Sequence, residues 1–222
     1  MTDKPIIFSG PMVRALLDGQ KTQTRRILKP QPDTKNGGTI WSGTPFGPLS
    51  YNGTWPDGTR SIQSVPYAPG DRLYVREALA LDGHPEPSNR YQADDAPLLW
   101  KTRDQAVWLS EYARDVAPSI HMPRWASRLT LTVTEVRVQR LQEISTLDCI
   151  AEGIAPDLAD AMEASGRSDL AQRHAYHDTY VAGYRTLWNS LHGPDAWDAN
   201  PWVVAVSFTV DRRNIDAIPR QD

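Results

Sequence analysis

The sequence predicts an α+β fold: a small barrel with helices plugging or covering it. Three observations carry this expectation. Four segments have the apolar and polar alternation of half-buried strands, and some of them are curved or broken by turns. The helical segments do not alternate regularly with those strands, as a parallel doubly wound sheet requires. The 222 residues include 18 prolines and 14 glycines, the composition of a loop-rich chain. That length suffices for one large domain or two small ones, and no linker or internal repeat divides it. We read a single domain over residues 1–222, with insertions near 30–68, 82–120 and 155–175.

The first element is a short helix over residues 9–19. Pro11 stands at a first helical position, Met12, Val13, Leu16 and Leu17 are apolar, and Gly19 stops it. Residues 22–28 then read as a strand that ends before Pro30, with Thr22, Thr24 and Arg26 on one face and Arg25 and Ile27 on the other. Residues 30–68 scatter Trp41, Phe46, Tyr51 and Trp55 among Pro, Gly, Ser and Thr and show neither period, so a long insertion or ordered loop is expected. At 69–78 the turn Pro69-Gly70-Asp71 opens a strand with Leu73 and Val75 facing one way and Arg72, Tyr74 and Arg76 the other. Residues 82–120 read as a second polar insertion with a short hairpin or helix around Leu98 to Tyr112.

The strand over 128–141 keeps phase through Leu129, Leu131 and Val133, then slips to Val136 and Val138. A β-bulge near Thr134 and Glu135 accounts for the slip. Ser145 as N-cap and Gly153 as stop bound a two-turn helix with Glu152 at its end. A longer helix within 156–192 carries the stripe Tyr180, Tyr184, Leu187, Trp188 and Leu191. The final strand, over 202–210, places Trp202, Val204, Val206, Phe208 and Val210 on one face.

With Lys+Arg 24 against Asp+Glu 27 the net charge is -3. No global positive field exists to hold a nucleic-acid backbone, so any such contact falls to a local patch. Cys149 is the single cysteine, which excludes an internal disulfide and a cysteine-cluster metal site and fits a reducing, cytoplasmic setting. No window approaches the roughly 18 apolar residues of a membrane span, and the N-terminus lacks a basic region followed by a long apolar run. A soluble, non-secreted protein without a membrane partner is expected. Phosphate-binding loops, the dinucleotide glycine fingerprint, H-E-x-x-H and G-x-S-x-G are all missing. His174 and His177 lie three apart without nearby acids and read as solvated surface, so no metal and no cofactor are expected.

Two stretches concentrate chemistry. In 19-GQKTQTRR-26, Lys21, Arg25 and Arg26 surround two threonines with no acid. One reading is a solvated edge strand guarded by basic residues. The other is a pocket in which Lys21, its pKa depressed, takes a proton from the Thr24 hydroxyl while Arg25 or Arg26 keeps the lysine neutral or holds an anionic or carbonyl group. In 120-IHMPRWASR-128, His121, Arg124, Trp125 and Arg128 suit a nucleobase stack beside a phosphate, or equally a core tryptophan with arginines around it. Tyr74 and Arg76 admit the same pair of readings. Glu152 ends its helix where an acid is mildly disfavoured by the dipole, a faint pointer to a role.

The order G-x-K-T-x-T-x-R (Gly19 to Arg26), P-G-D-R-L-Y-V-R-E (69–77) and L-x-x-I-S-x-x-x-x-x-x-E-G (Leu141 to Gly153) resembles the ASCH family of the PUA-like superfamily. His121 to Trp125 and Asn200-Pro201-Trp202 look like its longer phage- and prophage-associated members. The resemblance implies a small mixed or antiparallel β-barrel with flanking helices and long loop insertions, and a cleft for a nucleoside or RNA ligand. Some small members are amidohydrolases that deacylate N4-acetylcytidine. Matched residue by residue, their lysine, threonine and glutamate fall on Lys21 as base, Thr24 as nucleophile, and Glu152 as the group that orients the lysine or protonates the leaving amine. Arg26 and the cluster from His121 to Arg128 are then expected to hold the pyrimidine or its sugar. Other functions stay open: a non-catalytic RNA or single-stranded nucleic-acid-binding module, a ribonuclease using Lys21 with Tyr74, or a structural phage accessory.

Overall fold

A computed structural model of the chain describes residues 3–32, 40–41, 49–55, 57–81, 89–112, 115–155 and 169–219, with the backbone alone at 40–41 and 169–176. In chain order the elements are β1 (Asp3–Ile7), α1 (Gly10–Leu17), β2 (Gln23–Ile27), β3 (Gln31–Pro32), β4 (Ile40–Trp41), β5 (Ser50–Thr54), β6 (Arg60–Ser64), β7 (Arg72–Arg76), β8 (Leu79–Ala80) and β9 (Arg90–Tyr91). They continue with α2 (Arg103–Glu111), β10 (Val116–Ala117), β11 (Thr130–Arg140), α3 (Thr146–Ala151), α4 (Asp169–His192) and β12 (Trp202–Asp211).

The principal sheet has the hydrogen-bonded order β1-β7-β11-β12-β2. The expected barrel is therefore corrected to a mixed α+β fold with an open sheet among the described residues. A barrel closes only when its first and last strands pair, and here β1 and β2, five residues each, stand at the two ends of the path. By its contacts the chain forms two compact units, Met1–Gly19 with Gly70–Val133 and Phe208–Asp222, and Gln20–Pro69 with Thr134–Ser207; β11 and β12 each run through both.

In the first unit β1 pairs parallel with β7, from Asp3↔Arg72 to Ile7↔Arg76, and β7 pairs antiparallel with the start of β11 at Tyr74↔Thr130. The sequence pattern missed β1, because Pro5 and two charged residues hide a short strand that an edge position tolerates. The insertion expected at 82–120 holds α2, within the stretch where a hairpin or helix was expected, and β9 and β10, which pair with β8 in a three-stranded sheet of order β10-β8-β9. Leu79, Leu98, Leu109, Met122 and Ala126 form its core, with Trp108 and Trp125 packed against it.

In the second unit β12 pairs antiparallel with β2, Val206 opposite Thr24. The stretch 30–68, expected as a loop, holds a four-stranded sheet in which β5 pairs with β3, β4 and β6. Its strands carry no apolar face to read: β5 is Ser-Tyr-Asn-Gly-Thr, and Ile62 of β6 is 74% exposed. The core joins Leu141, Cys149, Tyr184, Trp188, Trp197 and Val203, and α3 packs on α4. Of the expected α4 stripe, Tyr180, Tyr184 and Trp188 are buried, whereas Leu191 lies outside. On β11, Thr134 and Glu135 are consecutively exposed where the apolar phase slips. Among the described residues no helix is long and apolar enough to cross a membrane.

Candidate functional site

The site is built where the entry of β2 meets the end of α3. Ser145 Oγ accepts from the Asp148 N–H at 3.1 Å, and an Asp148 carboxylate oxygen accepts from the Ser145 N–H at 3.2 Å, closing a capping box over the first turn of α3. Gly153, at φ 88°, ends the helix in the left-handed region and leaves Glu152 as its C-cap. The Thr22 N–H donates to the Ala151 carbonyl at 2.7 Å, which ties the strand entry to that helix end.

Lys21 Nζ donates to Glu152 Oε2 at 2.5 Å and to the Glu152 carbonyl at 2.9 Å. Arg25 Nη1 donates to Glu152 Oε1 at 3.1 Å and to Gln23 Oε1 at 2.5 Å, while Nη2 lies 3.0 Å from Asp148 Oδ2. Arg137 Nη2 donates to Asp148 Oδ1 at 2.7 Å, and the Tyr184 ring lies 5.8 Å from the Arg25 guanidinium carbon. Lys21 and Arg25 thus alternate with two carboxylates that lie four apart on one face of α3. The Lys21 and Arg25 side chains are 0% exposed and that of Glu152 is 4% exposed. Thr24, between Gln23 and Arg25, is buried as well. The solvated-edge reading of this stretch is therefore overturned, since α3 covers β2 and supplies the acids the strand itself lacks.

Burial presses the Lys21 pKa down, Glu152 opposes this, and Arg26 and Arg25 add to the lowering. At Asp148 burial raises the pKa, but the Arg137 hydrogen bond, the Arg25 charge and further hydrogen bonds outweigh it and bring the group to about 2. Burial pushes the Cys149 thiol up to about 12, so it stays protonated and inert. Arg25 Nε has no hydrogen-bond partner among the described residues and is a buried donor to spare.

The remaining sequence candidates, Tyr74, Arg76, His121, Arg124, Trp125 and Arg128, belong to the first unit, whereas Lys21, Thr24, Arg25, Arg26 and Glu152 belong to the second. Arg124 holds Asp216 and, through Nη2 at 2.7 Å, Asp3, and its guanidinium lies over the Tyr74 ring at 5.4 Å. Arg128 grips both Glu77 oxygens at 2.8 and 2.9 Å, binds Asp94, and stacks 3.9 Å over Tyr91. Trp125 packs edge-on against Trp108 at 5.9 Å, and Arg76 donates to the Ile120 carbonyl. His121 is exposed, with its ring 6.3 Å from that of Tyr112. The structure thus gives Arg124 and Arg128 internal carboxylates and packs a partly buried Trp125 against the core, nearer the second of the two readings of that cluster.

Sequence reasoning missed Asp148, Arg137 and Tyr184 as members of the site. The i, i+4 spacing of Asp148 and Glu152 was the available signal, since it places two acids on one helix face. Beside the site, a cavity of about 640 Å³ opens at the exit of β2, and Lys21, Thr24 and Glu152 do not line it. His174 lies outside the residues whose side chains are described. Among those residues His, Cys, Asp and Glu form no group of three suited to a metal ion. Comparison with protein-family models, curated proteins and solved structures returned no match.

Proposed function

We propose that this protein is an ASCH-type amidohydrolase acting on an N4-acylated cytidine or a similar acylated nucleobase. The observation that carries the reading is the buried Lys21 Nζ held at 2.5 Å by Glu152, a carboxylate that reaches β2 from a helix 131 residues further along the chain. Lys21 in its neutral form takes the Thr24 hydroxyl proton as Thr24 Oγ1 attacks the acyl carbonyl. The carbon–nitrogen bond breaks, the proton passes from Lys21 to the departing amine of cytidine, and water then cleaves the threonine ester to release the carboxylic acid. Burial favours the neutral lysine, Glu152 orients it, and the spare Arg25 Nε is a donor for the acyl oxygen.

Incubation with N4-acetylcytidine tests this. Cytidine release is expected from the wild-type protein, lost in Lys21→Ala and Thr24→Ala, and partly kept in Thr24→Ser. Wild-type-like turnover in either alanine variant removes that residue from the mechanism. Binding without turnover is the second reading, favoured by the complete enclosure of the Lys21 side chain. It predicts no release of cytidine and nucleic-acid binding that Thr24→Ala leaves unchanged.

A further inference from the structure

We propose that the cavity at the exit of β2 is a separate ligand site for a flat heteroaromatic ring joined to a phosphate, as in a mononucleotide or the 5′-phosphorylated end of an RNA strand. Four stretches of the second unit converge on it: residues 27–31 from the last residue of β2, the end of β5, the end of β11, and the approach to β12. Its volume, about 640 Å³, lies within the range of small-molecule sites. Ile27, Leu28 and Pro201 supply apolar wall, Trp55 an aromatic face, and Lys29 and Arg140 two cations, and no acidic residue is among the described lining.

Among the described residues neither cation is held by a carboxylate, unlike several arginines elsewhere in the chain. Arg124, Arg128 and Arg137 are each neutralised by carboxylates. Arg140 instead stacks 4.6 Å over the Trp202 ring and donates Nη1 to the Asn200 carbonyl at 3.1 Å, which fixes its plane and leaves charge unspent. The nearby Glu143 spends a carboxylate oxygen on the Arg140 backbone N–H at 3.0 Å. Lys29 is exposed and forms no ion pair among the described residues. His192 senses the same field: burial, then Arg26 and Lys29, lower its pKa. Trp55 is 40% exposed, and its indole is steadied by an Nε1 bond to Ser61 Oγ at 3.1 Å, a ring ready for stacking. A guanidinium fork beside an ammonium suits phosphate, and an exposed indole suits a base.

The test is titration of the full chain, followed by tryptophan fluorescence and calorimetry, with cytidine monophosphate, cytidine, inorganic phosphate, and a short RNA with a 5′-phosphate or a 5′-hydroxyl. The mononucleotide or the phosphorylated RNA is expected to bind at least about tenfold more tightly than its dephosphorylated counterpart, with each charged contact contributing on that order. Lys29→Gln, a surface change, and Trp55→Ala are each expected to weaken binding about tenfold, and Lys29→Glu more. Binding by the free mononucleotide identifies a small-molecule site, and binding by the RNA end alone an RNA site; either sustains the proposal. Absence of both, or affinities unchanged in Lys29→Gln and Lys29→Glu, overturns it. Thr24→Ala is expected to bind like the wild type, so this test and the amidohydrolase test fail independently.

Discussion

Lys21 loses its hydration entirely on folding, and the structure returns two hydrogen bonds to Glu152 and a carboxylate shared with Arg25. Such a cluster is costly to break, because removing one partner strands the others as uncompensated buried charge. Glu152→Ala is expected to lower the unfolding free energy by roughly 3–5 kcal/mol, and Glu152→Gln by less, in chemical denaturation. A loss under about 1 kcal/mol for the alanine variant contradicts the enclosed cluster. The basic half of the cluster was legible in GQKTQTRR as an acid-free run. Of its acidic half, Glu152 was named through the family resemblance, its only other signal being an acid at the wrong helix end, and Asp148 was not named. At single residues the sequence states charge and size, and pairing is a property of chain path.

The helix α3 has six residues, too few to be stable alone, and carries Asp148 within it and Glu152 as its C-cap, so its capping box and its packing on α4 hold the acids in place. Ser145→Ala is expected to cost about 1 kcal/mol of stability. If the proposed chemistry holds, it also lowers cytidine release by loosening the Lys21–Glu152 contact, and rescue by Ser145→Thr separates the cap from side-chain size. Unchanged denaturation midpoints in Ser145→Ala dismiss the cap as a support. The ends of α1 and α3, the α4 stripe and the alternation of β11 and β12 were readable because near-neighbour rules govern them. β3 to β6 were not, because short strands such as Ser-Tyr-Asn-Gly-Thr carry too few apolar residues to show a period.

For the whole molecule two of the perturbed groups, Asp148 and Lys21, shape stability against pH in opposite limbs. Asp148, at about 2 in the folded chain, contributes stability that is complete above the ordinary carboxylate range and is lost as pH falls through that value. Lys21 is lowered, so the unfolded chain binds more protons between the folded value and the ordinary lysine value of about 10.4, and stability rises with pH across that window. Urea denaturation from acid to alkaline pH is expected to show both limbs, Asp148→Asn flattening the first and Lys21→Met the second. Parallel curves for Lys21→Met and the wild type contradict the lysine assignment.

The sequence by itself determined an α+β chain with one cysteine, its helix caps, its amphipathic strands, and a basic stretch that stands out against a net charge of -3. Only the tertiary structure decided that the sheet stays open, that Arg124 and Arg128 are spent on Asp3, Asp216, Glu77 and Asp94, and that Arg25 and Asp148 join Lys21 and Glu152 in one buried cluster. The physical reason is range. Caps and alternation act over two to four residues, whereas these ion pairs join residues 34 to 131 positions apart and exist only once the strands have paired.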